Sequence, residues 1–236
     1  MLFNRIKIRK LGLAQSDQAR GVAVVIDVVR AFSAEAYAFA QGAREIFAVS
    51  SVEEALDWKR REPEVIVFGE MMGEHVPGFD YGNSPSELIA QDLTGARLVH
   101  RSSSGTQGVV RSANAQLTLV SSLVCAQATA TFLRALNPRE VDFIITGRDR
   151  YFTGDDDLAC ADYIEALLLG RDPDPRPYVE RVYQSRSGYK IMGKAPDHPL
   201  RQDLELCVQA NRFDFVMQVE RRDGLCLIRS ANVESG

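Results

Sequence analysis

The sequence predicts an α/β fold: a largely parallel sheet with helices on both faces, three layers in all, and a small antiparallel C-terminal extension. Three observations predict it. Short apolar runs alternate with segments of helical periodicity. The runs are apolar at successive positions rather than at every second one, as strands covered on both faces must be. Polar, glycine-containing segments follow the runs, where an open α/β sheet places its ligand-binding loops.

Val22 to Val28 reads as the first strand, with Asp27 near its end, and Ala31 to Gln41 as the helix after it. Ile46 to Val49 is the second strand, and Ser51 with Glu54 forms a capping box for a helix through Arg60. Val65 to Phe68 is the third strand and runs into Gly69-Glu70. Ser84-Pro85 starts a helix, with serine as N-cap and proline at the first helical position. Leu98 to His100 and Leu117 to Val120 are the next strands, and an alanine-rich helix spans Ser122 to Leu136. Val141 to Thr146 is a strand, followed by a helix from Asp156 to Leu169. Gly170 to Pro177 has the composition of a linker. Residues 1–236 thus form a single domain, or two lobes meeting near 170–177. A helix over Leu200 to Asn211 precedes an antiparallel pair, Phe215 to Glu220 and Leu225 to Ile228, turned at Arg222-Asp223-Gly224. Val24 to Ser51 and Arg97 to Ser122 share the order strand, polar turn, helix, strand, each ending Val-Ser-Ser, an echo of internal duplication.

Composition narrows the classes of function. A net charge of −4 leaves no basic footprint, so no nucleic-acid partner is expected. No apolar run approaches a membrane span, so no membrane partner is expected. The first residues lack a secretory signal, which makes the cytoplasm the expected location. Cys125, Cys160, Cys207 and Cys226 are scattered and read as thiols. His75, His100 and His198 have no zinc-ligand spacing. The oligomeric state stays open, a homodimer included.

Four segments carry the chemistry-bearing residues. Asp27 ends an apolar strand, where a carboxylate must be hydrogen-bonded, paired or metal-bound; pairing with Arg30 is the structural alternative to a catalytic role. The loop Gly78-Phe79-Asp80-Tyr81-Gly82-Asn83-Ser84-Pro85 mixes flexible glycines with oxygen ligands, and no core element has use for that mixture. Ser102-Ser103-Ser104-Gly105-Thr106 offers hydroxyls and backbone N–H groups to an anion, or else simply caps the next helix. Asp155-Asp156-Asp157 opens a helix, where the dipole favours acids, yet three together also suit a hard cation such as Mg²⁺. Cys160, about one turn on, reads as a buried thiol packed against the sheet. Arg30, Arg101, Arg148 and Arg150 lie in or beside these loops and together would form an anion clamp.

These motifs, in this order along nearly the whole chain, resemble the 2-phosphosulfolactate phosphatases, the ComB family. Asp27-Val28-Val29-Arg30-Ala31 fits that family's D-V-x-R-A, and Gly78 to Pro85 fits G-F-D-x-G-N-S-P. Gly69-Glu70-Met71-Met72-Gly73 stands in place of G-E-R-G-G, and Ser102 to Thr106 in place of T-T-N-G-T. Asp156-Asp157-Leu158-Ala159-Cys160-Ala161 matches E-D-x-x-C-A, and Asp203 to Gln209 looks like the family's last helix. The chain departs from the pattern at Met71 (arginine), Met72 (glycine), Ser104 (asparagine) and Asp156 (glutamate). Methionine cannot hold a sulfonate or carboxylate by charge, so the departure at Met71 bears on substrate identity.

The resemblance implies a Mg²⁺-dependent phosphatase that hydrolyses 2-phospho-3-sulfolactate to 3-sulfolactate and phosphate in coenzyme M biosynthesis. The substrate is a small anionic phosphomonoester. A phosphatase for another phosphorylated hydroxy acid, or a non-catalytic anion-binding homologue, is the alternative. Asp27, Asp80 and Asp157 are then expected around Mg²⁺, with Asp27, Arg30 and Asp80 as the catalytic set. Ser102, Ser103, Ser104, Gly105, Thr106, Asn83, Ser84 and Arg148 are expected to bind the phosphate or the other acidic groups.

Overall fold

In the computed structural model, residues 6–147 and 154–233 are described. The elements in chain order are β1 (Lys7–Gly12), β2 (Val22–Ile26), α1 (Ala31–Ala40), β3 (Glu45–Ala48), α2 (Val52–Arg61), β4 (Ile66–Gly69), α3 (Pro85–Leu88), β5 (Arg97–Arg101), α4 (Gly105–Arg111), β6 (Leu117–Ser121), α5 (Ala126–Leu136), β7 (Glu140–Ile145), α6 (Asp155–Leu168), α7 (Arg176–Gln184), α8 (Arg186–Met192), α9 (Pro199–Cys207), β8 (Phe215–Arg222) and β9 (Leu225–Asn232). Short 3₁₀ turns cover Leu13–Gln18 and Leu123–Cys125.

Among the described residues, nine strands join one mixed sheet in the order β1-β7-β2-β6-β8-β9-β3-β5-β4. Within β1-β7-β2-β6 and within β3-β5-β4 every pairing is parallel. The antiparallel C-terminal hairpin, β8-β9, lies between these two groups and pairs with β6 on one side and β3 on the other. It therefore sits in the middle of the sheet. Each of those pairings reverses direction, so the two parallel groups run opposite ways. The two segments with the echoed order, β2-α1-β3 and β5-α4-β6, cross the hairpin in opposite senses.

The strand period of two sends alternate side chains to opposite faces. Ala23, Val25, Ile46, Ala48, Phe68, Leu98 and Val120 pack with α1 on one face. Val22, Val24, Ile26, Leu119, Val141, Phe143 and Ile145 pack with α5 and α6 on the other. Phe47, Val49, Val67 and Val99 cover that same second face beside Trp58 of α2. Continuous apolar runs were the right signal for this three-layer arrangement.

Helix α1 is buried from Ala31 to Phe39, which is why its sequence is apolar nearly all round. Its one acid, Glu35, meets His100 Nδ1 of β5 at 2.7 Å. Burial pushes the Glu35 carboxyl well up and the His100 imidazole down to about 3, each toward its neutral form. The His100 ring stacks on Phe68 with centroids 4.1 Å apart.

Several boundaries differ from the sequence expectation. The edge strand β1 was not anticipated, because Lys7-Ile8-Arg9-Lys10 carries the charges of an exposed edge rather than an apolar run. The linker Gly170 to Pro177 ends in α7, whose first residue is Arg176, and α8 follows at once. Helix α9 stops at Cys207, short of Asn211, where φ is 59°.

Candidate active site

The site is a cleft of about 280 Å³ lined by Asp27, Ser104, Thr146, Gly147, Asp155 to Asp157, Arg186 and Ser187, among others. Five elements build it, the start of α8 with Arg186 and Ser187 among them. Asp27 leaves β2, Thr146-Gly147 leave β7, Ser104 precedes α4, and the acids open α6.

Local geometry fixes each carboxylate. Asp27 Oδ1 accepts a hydrogen bond from Ala31 N at 3.0 Å, which anchors it to the head of α1. Asp157 Oδ1 accepts from Val28 N at 2.8 Å, and its Oδ2 accepts from Gly147 N at 2.8 Å and Thr146 Oγ1 at 3.1 Å. The same Thr146 hydroxyl lies 3.4 Å from Asp27 Oδ2. Two buried acids from distant parts of the chain thus flank a single hydroxyl. A hydroxyl has one proton to give, and the shorter contact to Asp157 takes it, so Asp27 Oδ2 is the least committed oxygen of the pair.

Electrostatics follow from that crowding. Burial raises the Asp27 carboxyl to about 6, against the Ala31 hydrogen bond, and the charges of Asp156 and Glu70 add to the rise. Burial also raises Asp157 well above the ordinary range, with Asp156 and Asp27 reinforcing it. Asp156 is raised by burial too, although Ser187 donates to it and partly offsets the effect. The cleft is an under-compensated acidic cluster.

Two glycines pack closely against its carboxylates. A Cβ on Gly105 would lie 3.0 Å from Asp27 Oδ2 and 2.8 Å from the Ala31 Cβ. A Cβ on Gly147 would lie 3.2 Å from Asp157 Oδ2. Side chains there would occupy the space beside the very oxygens a ligand must reach.

The structure brings together only part of the set read from the sequence. Asp27, Asp157 and Ser104 line the cleft, and Gly105 packs against Asp27, Ala31 and Phe32 beside it. Ser102 and Thr106 are buried and cap one another: Thr106 N donates to Ser102 Oγ at 3.0 Å, and Ser102 N to Thr106 Oγ1 at 3.0 Å. Ser103 is engaged by Glu70, to which both its N–H and its hydroxyl donate, and Ser103 Oγ accepts from Met72 N at 2.8 Å. A carboxylate of the protein thus takes the N–H that the sequence reading offers to phosphate.

Asp80 stands apart from Asp27 and does not line the cleft. Its Oδ2 accepts from Val67 N at 2.8 Å and from Lys59 Nζ at 2.8 Å, pinning the Gly78–Pro85 loop to β4 and α2. Arg30 does not pair with Asp27 either; its Nη1 reaches Asp203 Oδ2 of α9 at 2.6 Å. Ser84 caps α3 and donates to Asp203 Oδ1 at 2.8 Å, and Asn83 beside it is buried. Arg148 lies outside the described residues.

Glu70, Thr146, Arg186 and Ser187 are site or site-adjacent residues that the sequence reading passed over as ligands. Thr146 ends the run Val141 to Thr146, one residue before the polar segment from Gly147 that the strand-end rule marks. Arg186 begins α8 inside Arg-Ser-Gly-Tyr-Lys-Ile-Met, which carries no motif. Cys160 is fully buried and burial raises its thiol well above the usual range, so it serves packing.

The donor set suits Mg²⁺. That ion commonly takes one or two carboxylates and completes its octahedron with waters and phosphate oxygens. Asp27 and Asp157 supply the hard oxygens, and the cleft they line has volume for the rest. Among the described residues, no three His, Cys, Asp or Glu side chains form a ready-made shell.

A buried acid at the end of β2 and others at the start of α6, with a serine and an arginine on the wall, are groups that can hold a phosphate ester. Comparison with known proteins gives the family. The model of the 2-phosphosulpholactate phosphatase family matches residues 9–222, and the chain belongs to that family. It is 32% identical over 202 residues to a Bacillus subtilis protein named "Probable 2-phosphosulfolactate phosphatase", covering 85% of this chain and 87% of the relative. Proteins of the same name from Carboxydothermus hydrogenoformans and Thermoplasma acidophilum are 31% and 27% identical, covering 89% and 86% of this chain and 91% and 87% of their own lengths. No described helix is long and apolar enough to cross a membrane.

Proposed function

We propose that the chain is a Mg²⁺-dependent phosphatase acting on 2-phospho-3-sulfolactate, releasing 3-sulfolactate and phosphate. The observation that carries the reading is the pair Asp27 and Asp157 about the Thr146 hydroxyl, in a cleft with Ser104 and Arg186 on its wall. The names of the relatives support the substrate, and the donor set supports the ion.

Asp157 and Asp27 would hold the cation through water, which leaves the Asp27 carboxylate available to take a proton; when bound, Mg²⁺ would neutralise phosphoryl charge. Arg186 and Ser104 contribute a positive charge and a hydroxyl to the oxygens of the transferred group. Asp157 is tied to Val28, Thr146 and Gly147, so it fixes the relative placement of the β2 and β7 ends. Asp27 Oδ2 is the base. A water oxygen attacks phosphorus, its proton passes to Asp27, the ester P–O bond breaks, and the leaving alkoxide takes a proton from solvent.

Phosphate release tests the reading. It should be seen with 2-phospho-3-sulfolactate and Mg²⁺, and be lost with chelator. Release from other phosphorylated hydroxy acids at equal kcat/KM would overturn the substrate. Phosphate binding without turnover of any phosphomonoester would overturn the enzyme.

A further inference from the structure

Asp203 of α9 is a carboxylate that the cleft does not use, yet it is 1% exposed and fully engaged. Its Oδ2 receives Arg30 Nη1 at 2.6 Å, across 173 residues of sequence. Its Oδ1 receives Ser84 Oγ at 2.8 Å, Ser86 N at 3.0 Å and Ser86 Oγ at 2.7 Å. One carboxylate thus ties together the turn after β2, the end of the Gly78–Pro85 loop, the start of α3, and α9. Burying a charge is costly unless it is paired and hydrogen-bonded, and here every oxygen is supplied.

The Arg30 end of this network is not saturated. Asp203 is its one polar partner among the described residues, which leaves the other donors of the guanidinium without a protein acceptor. Its side chain is 14% exposed, so solvent or a ligand reaches it. Arg30 follows Val29, which lines the cleft, and stands three positions after Asp27, whose Oδ1 is anchored to the adjoining Ala31. A guanidinium gripped at one edge presents its remaining donors in a fixed plane.

We propose that Asp203 is a positioning residue for the phosphatase reaction: it clamps Arg30 by one edge, so that the free donors meet an oxyanion at the Asp27 cleft and the 27–30 turn keeps its geometry. The inference rests on the phosphatase reading for its chemistry. Ser84 and Ser86 orient Asp203 rather than touch substrate, which gives the Asn-Ser-Pro end of that loop a function its composition alone does not reveal.

The test is a double-mutant cycle on the full chain with Arg30→Ala, Asp203→Asn and the double variant. It reads kcat and KM for 2-phospho-3-sulfolactate with Mg²⁺, the affinity for inorganic phosphate by calorimetry, and Tm. Misplacing one reacting group by about 1 Å costs on the order of 100-fold. Asp203→Asn should therefore lower kcat/KM by about that factor, and should cost nothing further when Arg30 is already alanine. Arg30→Lys, which keeps the charge and the ion pair, should keep Tm near wild type while losing most of the activity, because a point charge does not replace the planar fork. Equal and independent losses from the two substitutions would overturn the proposal, as would a drop in Tm with kcat/KM of the folded protein unchanged. If Asp203→Asn does not fold, wild-type activity in Arg30→Lys is the refuting result. A wild-type protein that binds phosphate without turnover defeats the phosphatase reading alone, and the cycle is then scored on phosphate affinity. Failure to bind phosphate defeats both.

Discussion

Replacing Asp27 by asparagine should make the metal-free protein more stable while removing its activity. In the unfolded chain this carboxyl titrates near 3.8, and in the fold burial and its acidic neighbours raise it to about 6. Each unit is worth about 1.36 kcal/mol, so the ionised side chain costs the fold about 3 kcal/mol at neutral pH. A raised carboxyl binds its proton more tightly in the folded state. The cost is therefore absent below about pH 3.8 and fully present above about pH 6. Asparagine has the same shape, keeps an oxygen for Ala31 N, and carries no charge. The measurement is urea unfolding of wild type and Asp27→Asn in chelator from pH 4 to 7.5. The variant should gain on the order of 3 kcal/mol at pH 7.5 and about half of that near pH 5, with almost nothing left at pH 4. Release of Asp157 from its neighbour's charge adds in the same direction. A variant less stable than wild type at pH 7.5, or a difference that does not change with pH, would refute the reasoning. Loss of function together with gained stability is the signature of a site held in an unfavourable electrostatic state.

Three further outcomes follow from particular contacts. Met72 sits at φ 57°, beside Gly73 at 86°, in the tight turn joining Met71 to Glu74, and its side chain is 81% exposed. Met72→Gly should relieve the left-handed strain and raise stability by about 1 kcal/mol in urea unfolding; an unchanged or lower midpoint contradicts this. Gly105→Ala places a methyl group against Asp27 Oδ2 and Ala31, so it should destabilise by about 1–3 kcal/mol and lower kcat/KM at least about tenfold; wild-type kinetics would show that the space beside Oδ2 is not used. Asp80→Asn keeps an acceptor for Val67 N and loosens only a half-exposed ion pair to Lys59, so stability should change by less than about 1 kcal/mol and activity by less than about twofold; abolished turnover would return Asp80 to the reaction.

How far the sequence could be read depended on the range of the interactions. The strand from Val22 to Ile26 was visible because burial on both faces leaves an uninterrupted apolar run, and β7 was visible from Val141 and Phe143 to Ile145 although the buried Asp142 interrupts them. Asp27 stood out because a charge at the end of such a run needs a reason. The central place of the β8-β9 hairpin was not legible: its two strands show their own turn, but nothing local says that β6 and β3 will flank them. The same holds within the site. Asp80 looked like a ligand until Lys59, 21 residues earlier, and the Val67 amide claimed it. Ser103 looked like a phosphate ligand until Glu70 engaged it. Arg30 beside Asp27 suggested a local pair, whereas its partner Asp203 lies at the far end of the chain. Residue type announced that polar work is done at these positions, and only the tertiary fold decided which groups remain available for a ligand.

A crystal grown with Mg²⁺ and inorganic phosphate puts the account to its most direct test. Density for a hydrated cation within reach of both Asp27 and Asp157, with the anion between it, Ser104 and Arg186, is the expected result. A cation bound at Asp80, or an anion lodged away from the β2 and β7 ends with Asp27 untouched, would contradict it.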